Sequence, residues 1–160
     1  MEQTKIEAPP EKQEIIVTRR YNAPRELVYK ILTDPKLIPE WWGPRYLTTK
    51  VEKMELKLGG QFRFIQQDPQ GKTYIFHGVY HTVKSPELLV YTMEWDGMPD
   101  HVILNIDRFD EQDGMTIWTS RSIFETIKDR DGMLQGGMED GVRDMTKRVD
   151  ELLAKKNNYE

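Results

Sequence analysis

Three histidines and a set of scattered carboxylates are the side chains here that could do acid–base or metal chemistry. His77 and His81 are spaced i, i+4. On a helix that spacing would bring two imidazoles to one metal ion. Their segment, Thr73 to Lys84, is rich in β-branched and aromatic residues, and along a strand the two side chains lie about 13 Å apart. They cannot share one metal, so no metal ligand is assigned. An imidazole beside a carboxylate is still a candidate acid–base group. An enzyme of the cyclase or hydrolase type would use His77 or Asp107. The nucleophile side is empty. The serines are Ser85, Ser120 and Ser122, and none sits in a Gly-x-Ser-x-Gly elbow. There are no cysteines, which excludes thiolate nucleophiles, disulfides and Cys-based zinc sites. No Gly-x-Gly-x-x-Gly or phosphate loop occurs, and Gly59-Gly60 precedes a strand, so it reads as a turn. We assign no catalytic residue and no cofactor.

The elements that must position these residues follow from hydrophobic periodicity. Glu14 to Tyr21 is a β-rich run. Asn22-Ala23-Pro24 starts a helix, with Asn22 or Ala23 as the cap and Pro24 in the first turn. Leu27, Val28, Ile31 and Leu32 give that helix one apolar face. Thr33-Asp34-Pro35 ends it and opens a second short helix, Lys36 to Trp41, which Gly43-Pro44 stops. From Leu47 to Phe124 apolar and polar residues alternate between recurrent turns. This predicts strands at 47–55, 61–67, 73–84, 88–95, 101–110 and 115–124. The short links between them imply antiparallel hairpins. Asp131-Gly132 opens the last segment, where Leu134, Met138, Val142, Met145, Val149 and Leu152 recur at helical spacing. This predicts one helix of about 20 residues, roughly 30 Å long. Its apolar stripe must be buried, and the sheet is the only large partner. A twisted sheet and a straight helix leave space between them, which is where a pocket is expected.

Composition narrows the function classes. The 160 residues suffice for one core and are short for two. The hydrophobic fraction is 38% and the charged fraction 31%, which fits a soluble globular chain; a net charge of −4 does not attract a phosphate backbone, so nucleic acid is a poor partner. No apolar run approaches the roughly 20 residues of a membrane span. Residues 1–13 are polar with two prolines and read as a flexible tail without the apolar segment of a signal peptide. The single domain is expected over 14–156, and a cytoplasmic location is the simplest expectation.

Several short pieces recur in a known order. They are Arg19 to Pro24 with Val28-Tyr29, Thr33-Asp34-Pro35, Trp41-Trp42-Gly43-Pro44 and Leu58 to Arg63. Gly78-Val79-Tyr80, Pro86 to Thr92 with Glu94-Trp95, Gly114-Met115-Thr116, and Gly137-Met138 with Gly141 complete the set. Through these pieces, spread over 19 to about 153, the chain resembles the family named after the activator of Hsp90 ATPase (AHSA1-like), within the SRPBCC group of the START-like superfamily. The resemblance implies an α+β helix-grip fold. A curved antiparallel sheet of about seven strands would wrap round a long C-terminal helix, with two short helices after the first strand. It also implies a cavity between helix and sheet. Superfamily relatives bind lipids, sterols, polyketides and plant hormones, a few catalyse cyclisation or hydroxylation, and the eukaryotic namesake domain binds the chaperone Hsp90. A stress-response role and chaperone contact are therefore among the expectations.

The residues expected to line the cavity can then be named. Trp41 and Trp42 are adjacent and point about 100° or more apart, so one plugs the core and the other forms a lip. Phe62, Phe64, Tyr80, Tyr91, Met93, Trp95 and Trp118 supply apolar lining. Matching the last hairpin to the family's pattern turns Asn105, Asp107, Ser120 and Ser122 inward beside them. The opposite parity, Val102, Leu104, Ile106 and Ile117, is more apolar than a solvent face should be. Two readings stay open: the register is inverted, or the outer face is covered by a second subunit. Gly136-Gly137 and Gly141 cost helix propensity, and either admit close approach to the sheet or leave room for a ligand. Met133, Met138 and Met145 are adaptable fillers. The first functional reading is non-catalytic binding of an apolar or amphipathic small molecule, with Gly137, Met138 and Gly141 near the mouth. The second is a protein-interaction module, homodimeric or chaperone-related. The third is the His77 or Asp107 enzyme.

Overall fold

The computed structural model describes residues 4–159. Its strands are β1 (Lys5–Glu7), β2 (Glu14–Tyr21), β3 (Thr48–Met54), β4 (Gln61–Gln67), β5 (Thr73–Lys84), β6 (Leu88–Trp95), β7 (Ile103–Gln112) and β8 (Met115–Ile123). Its helices are α1 (Arg25–Thr33), α2 (Ile38–Trp41), α3 (Ile127–Gln135) and α4 (Met138–Tyr159). All eight strands join one antiparallel sheet in the order β1-β2-β8-β7-β6-β5-β4-β3. The α+β class with two short helices after the first long strand is as expected. The six strands expected between residues 47 and 124 are β3 to β8, and none of their ends moves by more than two residues.

Three expectations need correcting. The sheet has eight strands because the segment before residue 14 is not simply a loose tail. Lys5, Ile6 and Glu7 pair with Thr18, Val17 and Ile16. The buried Arg130 guanidinium donates to the carbonyls of Pro9 and Lys12 and fastens the intervening turn. Second, α1 begins one residue later than expected: Pro24 is its cap, and its carbonyl accepts from the N–H groups of Leu27 and Val28. Third, the last helix is two helices. Asp131-Gly132 lies inside α3, which starts after Thr126, whose Oγ1 accepts the Asp129 N–H at 3.0 Å. α3 stops at Gly136-Gly137. Gly137 has φ +83°, a left-handed conformation that glycine adopts without steric cost, so the pair ends one helix before α4 begins.

The apolar spacing of α1 buries Val28, Tyr29, Ile31 and Leu32. These pack with Val149, Leu152 and Leu153 of α4 and with Phe62, Phe64, Tyr80, Leu89 and Phe109 of the sheet. At about 1.5–3 kcal/mol for each large side chain buried, the three α4 residues anchor the C-terminal half of that helix. A second buried cluster gathers Ile15, Val17 and Phe124, with Met133, Leu134, Met138 and Val142 packed against it. The helical layer is thus pinned at two places on the sheet's inner face.

Candidate functional site

Between the two clusters lies a cavity of about 310 Å³, partly open to solvent. α4 lines it with Met138, Gly141, Val142, Met145 and Thr146, and α3 adds Met133. An ion pair and several hydrogen bonds fix the far lip. Arg45 binds Asp144 of α4 at 2.9 Å through its Nε, and Arg148 of α4 donates to the Gly43 carbonyl at 2.9 Å. These contacts hold the Trp42-Gly43-Pro44 turn against α4. Gly43 has φ +83°, so the backbone favours glycine, and a Cβ there would push aside the Gln66 amide, whose Nε2 lies 1.9 Å from that position.

The two tryptophans divide as their adjacency demands. Trp41 is buried and its indole donates to the Ile31 carbonyl at 3.1 Å. Trp42 packs edge-on against Phe64 and Phe76, with centroids 5.1 Å away in each case. Both reach the cavity wall. Phe62, Phe64 and Tyr80 share the inner face of β4 and β5, and Tyr91 and Met93 continue it on β6. Phe62 stands 5.0 to 5.9 Å from Phe64, Tyr80 and Tyr91, centroid to centroid.

Polar groups cluster in this wall where β7 meets β8, with Gln66 and Thr146 placed singly elsewhere. β7 and β8 pair Asn105 with Ser122 and Asp107 with Ser120, and all four side chains face the cavity. The inward parity is therefore the one expected, which places Leu104, Ile106 and Ile117 on the opposite face. Ser122 donates to Asn105 Oδ1 at 2.7 Å and Ser120 to Asp107 Oδ1 at 2.6 Å. The Tyr91 hydroxyl reaches Asp107 Oδ2 at 3.5 Å. Burial pushes the Asp107 carboxyl up to about 7, against the opposing pull of Ser120, Trp118 and Tyr91. Burial, and secondarily Asp107, raises the Tyr91 phenol, and burial raises Tyr80, so both stay neutral donors. Two buried polar atoms of this wall have no hydrogen-bond partner: Asn105 Nδ2 and Trp118 Nε1. The Trp118 indole N–H nonetheless lies close to the Asp107 carboxyl and helps pull its pKa down. Among the described residues no Lys, Arg or His lines the cavity.

Residues 22–154 match the family of Activator of Hsp90 ATPase homolog 1-like proteins. The chain belongs to this family. Solved structures share the fold. A protein from Mycobacterium smegmatis superposes with a TM-score of 0.85 at 22% identity, over 94% of this chain and 96% of that one. A protein from Rhodobacter sphaeroides gives a TM-score of 0.87 at 22% identity, over 96% and 99%. A protein from Staphylococcus epidermidis gives 0.80 at 27% identity, over 95% and 94%. No curated protein matches the sequence.

Within this family fold, most residues singled out from sequence meet at the cavity: Trp41, Trp42, Phe62, Phe64, Tyr80, Tyr91, Met93, Asn105, Asp107, Trp118, Ser120, Met138 and Gly141. Two do not. Trp95 has the right parity and pairs with Phe76, but β6 runs past the end of β7 there. Its indole covers Gly97, where a Cβ would lie 2.3 Å from the ring, and it is 40% exposed. Gly137 serves the helix break and has nothing within 4 Å of its Cβ position. His77 also misses the cavity. Gly78 and Tyr80 take the inner positions of β5, so His77 points outward and binds Asp96 at 2.6 Å. His81 is the extra residue of a bulge between Tyr80 and Thr82 and is exposed. The enzyme reading thus loses the imidazole half of its acid–base choice. Among the described residues no three His, Cys, Asp or Glu side chains are grouped to hold a metal, and no helix is long and apolar enough to cross a membrane. Gln66, Phe76 and Val142 were missed as lining residues. Gln66 shares the parity of Phe62 and Phe64, so alternation along β4 carries the signal; its side chain is buried and bonds Thr49 Oγ1 and the Trp42 carbonyl, each at 3.4 Å.

Proposed function

We propose that this protein binds an apolar or amphipathic small molecule, without transforming it, between α4 and the inner face of the sheet. The observation that carries this reading is the cavity itself. Its 310 Å³ is about twice the ~150 Å³ engineered cavity that accepts benzene. Its walls are mostly aromatic and aliphatic, with polar side chains at the Asn105–Asp107 stripe and singly at Gln66 and Thr146. Buried polar groups in such a wall fix the orientation of a ligand more than they add to affinity. Membership of the family supports binding of a ligand or partner as the class of activity. The test is a fluorescence titration with the neutral dye N-phenyl-1-naphthylamine. One saturable site is expected. Met145→Trp, which fills the space from α4, abolishes it while leaving the fold intact by circular dichroism. Absence of saturable uptake by the unaltered protein overturns the reading.

A second reading, a protein-interaction module, draws on one observation. The sheet's outer parity carries Ile16, Val90, Leu104, Ile106 and Ile117, half-buried rather than fully polar. Apolar surface of this kind is a feature of contact faces. A homodimer or a chaperone such as Hsp90, which the family's name invokes, would use it. Light scattering and a binding assay with purified Hsp90 test it, and a strict monomer that ignores the chaperone rejects it.

A further inference from the structure

Charge decides what kind of molecule the cavity takes. We propose that its guest is a monocation, an ammonium head on an apolar body of about two rings, and that the head seats on Asp107. This rests on the small-molecule reading above and specifies its chemistry.

The argument is one of charge balance. Among the described residues that line the cavity, Asp107 is the one carboxylic acid, and no Lys, Arg or His answers it. The elements packed around it supply no cation. β6 turns in Tyr91, whose phenol stays neutral through burial. β8 turns in Trp118, Ser120 and Ser122, and α4 faces the cavity with Met138, Gly141, Val142, Met145 and Thr146. Arg19, on the inner side of β2, is engaged with Asp150 of α4 and with Thr4. A carboxylate taken out of water is costly unless a cation pairs with it. Without such a partner the group keeps its proton up to about 7. An ammonium is the partner that lets it ionise.

The geometry suits a head group. β7 turns Ile103, Asn105 and Asp107 inward in succession, and exposure falls from half-buried Ile103 to buried Asp107. The carboxyl therefore lies about 13 Å along the strand from Ile103, with the guest's apolar body behind the head, toward Ile103. Asp107 is 6% exposed and lines the cavity, so the guest reaches it from there. An ionised carboxyl has about four acceptor sites. Ser120 takes one at 2.6 Å, Tyr91 reaches another at 3.5 Å and the Trp118 indole leans on the group as well, which leaves one for the ammonium. Phe62 and Tyr80 stand 5.9 and 6.1 Å from the Tyr91 ring, centroid to centroid, and aromatic faces attract a cation. The net charge of −4 favours the approach of a cation over an anion. An anionic guest would meet Asp107 with nothing to balance either charge, and a neutral one would leave the carboxyl to its proton.

The test is a matched series on the unaltered protein, read by isothermal titration calorimetry at pH 6 and pH 8. The three probes are 2-naphthylmethylammonium, 2-naphthylmethanol and 2-naphthoate. With the carboxyl titrating at about 7, its ionised share rises about tenfold between these pH values. The ammonium is charged at both. It is expected to bind about tenfold tighter at pH 8 than at pH 6, and about tenfold tighter than the alcohol at pH 8. At pH 6 its binding is expected to expel about one proton, read from the dependence of the heat on the buffer's ionisation enthalpy. Asp107→Asn is expected to erase both the pH dependence and the ammonium's advantage over the alcohol. Equal binding of ammonium and alcohol at pH 8 overturns the proposal. So do ammonium binding that ignores pH, tightest binding of the naphthoate, and an ammonium advantage that survives in D107N. Failure of all three probes to bind the unaltered protein overturns the small-molecule reading itself, a distinguishable result.

Discussion

Replacing Asp107 with Asn takes the carboxyl out of the cavity wall and keeps an oxygen that accepts from Ser120. In the folded chain this carboxyl titrates at about 7 instead of 3.8, first because of burial. Between those values the folded chain holds a proton that the unfolded chain releases. Stability falls with rising pH wherever the native state binds more protons. The penalty is therefore absent below about 3.8, grows up to about 7, and is fully present above that. At 1.36 kcal/mol per pH decade, the full penalty is about 4 kcal/mol, and about 2 kcal/mol of it develops between pH 5 and pH 7. Urea unfolding of the unaltered protein and of D107N at both pH values measures this. The unaltered protein is expected to lose about 2 kcal/mol more than the variant. His77, His81 and His101 are present in both and cancel. Parallel stability profiles would refute the reasoning and place the carboxyl in a solvated setting.

Other substitutions test separate parts of the structure. Gly78→Ala sets a Cβ 1.8 Å from the Thr92 carbonyl oxygen and 2.6 Å from the Phe62 ring; a loss of about 3 kcal/mol or more in chemical denaturation is expected. Gly141→Ala meets only Pro44 Cδ at 3.9 Å; thermal unfolding should show a gain of up to ~1 kcal/mol, and a loss would mean that α4 packs closer than described. Arg130→Met leaves the Pro9 and Lys12 carbonyls without their donor; about 2–4 kcal/mol is expected to be lost, and limited proteolysis should cut between residues 8 and 13, where an unchanged cleavage rate would dismiss the anchoring role.

The fold was legible because its signals are local. Alternation placed β3 to β8, and the 27/28/31/32 spacing placed the buried face of α1. The inward parity of β7 and β8 followed from the family pattern, and it brought Asn105, Asp107, Ser120 and Trp118 to one wall. What escaped were effects that depend on partners far along the chain. β1 becomes a strand because β2 offers an edge and Arg130 holds the turn, and neither is visible in a polar, proline-containing run. The helix break at Gly136-Gly137 was hidden by an apolar rhythm that continues across it from Leu134 to Met138. Trp95 was misplaced because parity says which side a residue faces but not how far the neighbouring strand extends.

The strand order also dictates when the molecule can be finished. Every neighbouring pair from β3 to β8 is a consecutive hairpin, but β2 lies beside β8. Tyr21 pairs with Thr116 and Glu14 with Ile123, so roughly 100 residues must be synthesised before β2 meets its principal partner. At about 5–20 residues per second that is about 5–20 seconds on the ribosome. Throughout that interval the β-rich stretch Ile15-Ile16-Val17 has only the three-residue β1 on one side and lacks β8 on the other, which leaves that edge open to a wrong partner. The last hairpin to leave the ribosome thus completes the sheet and at the same moment shelters β2, made some 100 residues earlier.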